Sequence, residues 1–117
     1  MVRTKLTQNQ SNIDLSNTEL ILYGNRKFIE SCNLSNSIIK DSLFIYCRFI
    51  NCFVNNTRII NSDLTGTKIY SEQSSLELTL ENCCLTNVNV DELLAKSVKI
   101  LNCFYFTENN TKEFILN

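Results

Sequence analysis

The sequence predicts an all-β fold, a right-handed four-sided β-helix of about four to five coils. Apolar residues recur at every fifth position over forty residues, and the residue two positions before each of them is small. Neither a helical period nor a strand period of two produces such a pattern. The chain also has no proline, 2 glycines and 17 asparagines, so asparagine must supply much of the turn chemistry. The apolar series is Leu34, Ile39, Phe44, Phe49, Val54, Ile59, Leu64 and Ile69, and the small series is Cys32, Ser37, Ser42, Cys47, Cys52, Thr57, Ser62 and Thr67.

The period of five dictates the path of the backbone. Two inward residues in every five require a short extended stretch followed by a turn of about 90°. Four such sides close a square coil of about twenty residues, and successive coils stack at about 4.8 Å, the ordinary distance between strands. The lumen then has room for one large side chain per side and a small one near the corner. We therefore expect the eight apolar residues to be the structural core, all pointing into one lumen.

Two segments carry the most complete form of the repeat, residues 32–36 (CNLSN) and residues 62–66 (SDLTG). This pattern resembles the pentapeptide-repeat family, whose motif is a small residue, Asp or Asn, Leu or Phe, and two polar positions. The resemblance covers residues 32–71 without a break and resumes at residues 78–92 and 98–107. It implies the right-handed quadrilateral β-helix, here as a single domain over residues 1–117 with an irregular N-terminal coil and a C-terminal cap.

The first coil breaks the period. Residues 13–22 hold weaker repeats, and Leu20 and Ile29 are nine residues apart rather than ten. Lys27, two positions before Ile29, is neither small nor apolar. We expect an irregular coil here.

Two further irregularities lie towards the C-terminus. Ile69 and Leu80 are eleven residues apart, which predicts one inserted residue, as a bulge or small loop, between Glu72 and Glu77. Residues 92–97 preserve the five-residue register between Val90 and Ile100 if they form one irregular side or a helical turn.

Asparagines twenty residues apart should lie one above the other. Asn36 would stack on Asn56, and a second corner column is Asp41, Asn61, Asn82 and Asn102. Stacked amides can bond along such a column. A corner turn and ladder is the interpretation we favour, and a polar face for carbohydrate is the alternative.

Five of the six cysteines, Cys32, Cys47, Cys52, Cys83 and Cys103, occupy the small inward position. Stacked cysteines would have α-carbons near 4.8 Å, but their β-carbons run parallel, so a disulfide would be strained. No CxxC pair is present to suggest zinc. We predict six free thiols, five of them buried fillers, with the outward Cys84 as the candidate reactive thiol.

Composition argues against chemistry in this chain. It has 11 Lys and Arg against 12 Asp and Glu, and no His, so it lacks a basic footprint for nucleic acid and the commonest general base. A filled β-helix also offers no substrate cavity. We expect a non-enzymatic protein with no catalytic, cofactor-binding or metal site and no cofactor. No apolar run approaches the length of a membrane span and residues 1–10 are too polar for a signal peptide, so a cytoplasmic location without membrane association is expected.

The first functional hypothesis is a protein-binding or scaffold module, since a rigid flat surface offers interaction area at little entropic cost. The alternative is a DNA-mimic modulator of DNA gyrase or topoisomerase, which the resemblance implies for some family members. Residues 32–71 carry four basic and two acidic residues, a poor match to DNA. A third possibility is an accessory domain of a larger protein.

The C-terminal segment has the highest aromatic density of the sequence. Phe104, Phe106, Phe114, Ile115 and Leu116 are candidates for a cap over the last coil or for a dimer interface. A homodimer through this end, by a two-fold axis, is also what the resemblance implies.

Overall fold

The computed structural model describes residues 2–71, 77–91, 97–106 and 111–113. These residues form strands and no helix, stacked as a β-solenoid of about four turns, so the predicted fold class is confirmed. The strands are β1 Val2–Leu6, β2 Gln10–Ser11, β3 Thr18–Asn25, β4 Phe28–Glu30, β5 Ile38–Lys40, β6 Leu43–Ile45, β7 Arg48–Ile50, β8 Thr57–Ile60, β9 Lys68–Tyr70, β10 Leu78–Glu81, β11 Asn89–Val90, β12 Val98–Leu101, β13 Phe104–Phe106 and β14 Thr111–Glu113.

The solenoid has four sides, which we number faces 1 to 4 in chain order. Face 2 is a parallel ladder of β1, the first half of β3, β5, β8, β10 and β12, and face 4, opposite, is a parallel ladder of β2, β4, β7, β9 and β11. Faces 1 and 3 lie between these ladders and are joined mainly by single bridges. Face 1 consists of residues 13–17, 32–36 and 52–56, and face 3 consists of residues 22–26, 42–46, 62–66, 83–87 and 103–106.

All eight predicted core residues are buried, from 0% exposure at Leu34 to 4% at Val54, and so are their small partners. The rings of Phe44 and Phe49, on consecutive sides, are 5.1 Å apart. A void of only about 10 Å³ remains between these side chains. The predicted lumen is therefore confirmed as a packed core.

The corners have a left-handed backbone at every fifth residue, with φ between 50° and 70°. Nine of the 13 non-glycine residues in this conformation are asparagine, which accounts for the unusual composition. The side chains of Asn36 and Asn56 are joined at 3.5 Å, as expected for the first ladder. The second predicted column, Asp41, Asn61, Asn82 and Asn102, also lies at corners.

The small inward side chains form hydrogen bonds between and within coils. Ser62 Oγ accepts a hydrogen bond from the Ser42 amide at 3.1 Å and donates to the Ile60 carbonyl at 2.9 Å. Cys103 Sγ likewise accepts from the Cys83 amide at 3.5 Å. The interpretation of the inward cysteines as mere fillers was therefore incomplete, because their thiols also take part in these hydrogen bonds.

The irregular first coil follows from one missing residue. Leu20 pairs with Ile39, nineteen residues on, whereas Gly24 pairs with Phe44, twenty residues on. β3 consequently continues from face 2 onto face 3 without a left-handed corner residue between Thr18 and Asn25. The usual sizes are exchanged on this side, because Leu22 fills the small position, with 1% exposure, and Gly24 occupies the large one.

The predicted insertion is visible as a change of register. Tyr70 pairs with Ile50 at a separation of twenty, but Leu78 pairs with Thr57 at a separation of twenty-one. The extra residue lies between Tyr70 and Leu78, and its predicted position falls on residues 72–76, outside the described residues. The irregular side predicted at residues 92–97 also falls largely outside them.

The parallel stack changes direction at its C-terminal end. Phe104 of β13 bridges to Cys84 of the preceding coil, while the other edge of β13 pairs antiparallel with β14. β14 thus covers the open edge of the last strand on face 3. Of the predicted cap or dimer residues, Phe104 and Phe106 lie on β13, and Phe114, Ile115 and Leu116 lie outside the described residues.

Candidate interaction surface

Face 3 presents an apolar outer surface. Four of the seven exposed large hydrophobic residues in the described part of the chain lie on it: Tyr23 (52%), Leu43 (39%), Tyr46 (52%) and Phe106 (55%). Its only charged residues within the described ranges are Arg26 and Asp63. Exposed apolar surface with so few charges is typical of a protein-binding surface.

The other ladders are more polar. Arg58 on face 2 pairs with Glu81 at 3.0 Å, and Glu19 lies between Arg3 and Lys40, at 2.8 and 2.6 Å. On face 4, Arg48 and Lys68 lie side by side in adjacent coils. Face 3 is therefore the least charged of the faces that bear strands.

In the N-terminal half of face 3, a cation lies against each of the two exposed tyrosine rings. Lys5 Nζ lies 5.2 Å from the centre of the Tyr23 ring, and the Arg26 guanidinium lies 5.9 Å from the centre of the Tyr46 ring. On its other side the Tyr46 ring lies over Gly66, where a β-carbon would be 2.3 Å from Tyr46 Cδ1. Both rings are thus oriented while more than half of their surface stays exposed.

A groove of about 380 Å³ crosses the C-terminal half of face 3 at its border with face 2. Its walls and floor are formed by Asn61, Ser62, Asp63, Asn82, Cys84, Phe104 and Phe106. The rings of Phe104 and Phe106 meet edge to face, 5.5 Å apart, and form an aromatic wall.

The groove is a consequence of side-chain size along one outward column. Asp63, Cys84 and Phe104 are bridged in that order in successive coils. Because the Cys84 side chain is small and covered whereas that of Phe104 is large, the outer surface is recessed between Phe104 and Asp63. Asp63 is held on one wall, since its Oδ1 accepts hydrogen bonds from the amide and hydroxyl of Thr65 at 3.0 and 2.6 Å.

Cys84 occupies the outward position, but the prediction that it is an accessible thiol was wrong. It has 7% exposure, and its Sγ lies 3.3 Å from Thr86 Oγ1 and 3.6 Å from Thr65 Oγ1. Neighbouring side chains, which a five-residue pattern does not describe, cover it.

All six cysteines are free thiols, as predicted, and all six are buried, including Cys84, which was expected to be outward and reactive. Burial raises the pKa of Cys47 and raises that of Cys52 to about 11. The pKa of Cys83 is also raised, by its hydrogen bond with Cys103 and by burial. The thiols of Cys47, Cys52 and Cys83 are therefore neutral at physiological pH and poorly nucleophilic, whereas the hydrogen bond with Cys83 lowers the pKa of Cys103 to about 7.

Among the described residues no group of three or more His, Cys, Asp or Glu side chains converges as a metal site would require. The described part of the chain also contains no long apolar helix of the kind that crosses a membrane.

Most of this surface is not predicted by the five-residue pattern of the sequence. Tyr23, Leu43 and Asp63 are twenty residues apart along the chain, and the coil places them in one column. Writing the sequence in rows of twenty would have placed these three residues in one column, but the inserted residue moves Cys84 and Phe104 to the next column. Of the residues predicted from the sequence, Phe104 and Phe106 belong to this surface and the eight core residues do not.

Neither the models of known protein families nor the curated proteins give a match to this sequence.

Proposed function

We propose that this chain is a non-enzymatic member of the pentapeptide-repeat family that acts as a protein-binding or scaffold module through face 3. The observation that carries the proposal is the concentration of exposed Tyr, Leu and Phe side chains on one flat side with only two charges in its described part. Aromatic residues are enriched in protein interfaces and charged residues are depleted at their centres.

The rigidity of the coil supports this function. The Tyr46 ring is oriented by Arg26 and Gly66 before any partner arrives, and the backbone beneath it belongs to a continuous ladder network. Binding to such a surface costs little conformational entropy. A cytosolic setting suits it, because six unpaired thiols are typical of a reducing compartment.

The gyrase-directed alternative has less support from the described surface. DNA mimicry requires rows of carboxylates, whereas the outward columns include Arg48 beside Lys68 on face 4 and Arg58 and Lys99 on face 2. These cations favour the protein-binding module.

A pull-down with matched surface variants tests the proposal. Tagged full-length protein, the face 3 variant Leu43→Lys and the face 1 variant Phe53→Lys are incubated with native lysate, and bound proteins are identified by mass spectrometry. Leu43 and Phe53 have similar exposure, 39% and 44%. We expect a partner that the wild type and Phe53→Lys capture and Leu43→Lys does not.

Partners lost equally from both variants, or from neither, would contradict a role for face 3. A gyrase supercoiling assay run beside the pull-down distinguishes the alternative: inhibition or protection of supercoiling at stoichiometric protein would favour DNA mimicry.

A further inference from the structure

We infer that the groove beside Asp63 receives an arginine side chain of the partner protein. This inference rests on the proposed function and assigns the chemistry of one contact within it.

Charge is the first reason. Among the residues that the structure describes, Asp63 is the only ionisable carboxyl in the groove lining, and none of their cations lies within ion-pair distance of it. Its Oδ1 accepts hydrogen bonds from Thr65, and its Oδ2 makes no hydrogen bond with the described residues. A hydrogen-bond donor of a partner molecule can therefore bind the second oxygen of this carboxylate.

The shape of the groove is the second reason. Asp63 and Phe104 are two coils apart, so their α-carbons are separated by about 10 Å, with only the Cys84 side chain between them. A flat group can lie in that gap, with an aromatic wall on one side and a carboxylate on the other. Guanidinium is planar, stacks on aromatic rings and donates several hydrogen bonds in its own plane, whereas ammonium is a compact point charge.

The rim supplies the remaining acceptors. Asn61 and Asn82 occupy adjacent corner positions at the edge of the groove, both exposed, and their side-chain amides make no hydrogen bond with the described residues. A guanidinium has five N–H donors, more than one carboxylate can accept. Arginine anchors of this kind are common at the centres of protein interfaces.

The test uses the full chain and a small probe, Nα-acetylarginine amide, titrated at constant ionic strength while amide signals are followed by NMR. The isosteric citrulline amide is the uncharged control. We expect saturable shifts of the Asp63, Cys84, Phe104 and Phe106 amides with the arginine probe, with half-saturation in the range of about 1 to 50 mM. Little change is expected with citrulline.

Two variants locate the site. Asp63→Asn keeps the local turn, since Asn33 at the same place on face 1 accepts the Ser35 amide through Oδ1 at 3.0 Å. It should weaken arginine binding by about tenfold or more. The matched control Asp14→Asn removes an equivalent carboxylate, which accepts the Ser16 amide at 2.9 Å, and should change nothing. Cys84→Leu fills the gap with a side chain that the same column already holds at Leu43, and should abolish binding.

Equal shifts with citrulline, unchanged binding in Asp63→Asn, or no saturable shifts with the arginine probe would each overturn the inference. Saturable binding of methyl glucoside at these amides, without arginine binding, would replace it with a carbohydrate site. If the arginine probe does not bind the groove but Leu43→Lys still loses the partner in the pull-down, the proposed function stands and only the arginine assignment is wrong.

Discussion

The ring of Tyr46 occupies the space where a β-carbon of Gly66 would lie, 2.3 Å from Tyr46 Cδ1. Gly66 also has a φ of 70°, and the asparagines at other corners have φ values between 51° and 60°. Glycine is thus favoured by the left-handed backbone, which asparagine adopts at other corners, and required by the ring above it.

Gly66→Ala should lower the free energy of unfolding by about 1 to 3 kcal/mol, through the left-handed backbone and displacement of the ring. Asn87→Ala, at the next corner of the same column with φ 55°, carries only the backbone cost. Urea unfolding of both variants measures the difference. Adding Tyr46→Ala to Gly66→Ala should restore part of the loss, and an identical loss in both single variants would mean that the ring yields freely.

Replacing the small inward Ser62 by Leu should cost on the order of 1 to 3 kcal/mol or more by overpacking, and it also removes the acceptor of the Ser42 amide. Arg48→Ala, on the outer side of face 4, should change stability by about 0.5 kcal/mol or less. Chemical denaturation midpoints provide the comparison. Similar shifts in both variants would contradict the inward and outward assignment.

Leu22→Ala should destabilise the first coil by about 2 to 5 kcal/mol, because Gly24 leaves no large side chain on that side to fill the space. Leu43→Ala, the same substitution at an outward site with 39% exposure, is the control and should cost far less. Thermal and urea unfolding test this. Equal effects would show that the exchange of sizes carries no packing energy.

Stability should fall steeply as the pH rises from about 9 to 11, because burial raises the pKa of Cys52 to about 11 in the folded chain. The folded protein then holds a proton that the unfolded chain has released, which favours unfolding with increasing pH by up to about 2 to 3 kcal/mol. Cys52→Ser cannot ionise, and serine already serves at Ser42 and Ser62. Urea midpoints at successive pH values should decline less in this variant, and parallel declines would refute the assignment to Cys52.

Truncation after Thr107 removes β14 and leaves the outer edge of β13 unpaired. A cap on a monomer and a homodimer through this end are the alternatives: the dimer requires a dimeric full chain and a monomeric truncated chain, and the cap requires a monomeric full chain, with circular dichroism showing that the coils remain. Light scattering decides between them. A full-length monomer at tens of micromolar would rule the dimer out, and a truncated dimer would move the interface elsewhere.

The core was predictable because a five-residue period constrains every inward position at once. Phe44 and Ile69 are buried for the same geometric reason, so one pattern identifies both. The exchange between Leu22 and Gly24 was not predictable in this way, since it depends on the single residue missing from a corner, and the sequence shows only that the spacing is short.

The outer surface was predictable to a smaller extent. The outward position of Cys84 follows from the period, but its cover by Thr65 and Thr86 depends on which residues lie in the neighbouring coil and column. The groove beside Asp63 depends on side-chain sizes twenty residues apart, a relation that a scan of adjacent residues does not detect.

The reversed direction of β14 has a consequence for the behaviour of the protein at high concentration. The last strand of a parallel coil exposes a row of unpaired backbone N–H and C=O groups, like the row with which it pairs on the coil before it. An uncovered end can therefore act as a template for fibrous growth. On face 3 an incoming parallel strand would meet β14 instead, whose antiparallel pairing with β13 occupies that edge. At the opposite end, β1 carries Arg3 and Lys5, charges that disfavour the stacking of like strands. On face 3 and at β1 the described residues therefore disfavour end-to-end stacking by different means, the first by occupying an edge and the second by charge.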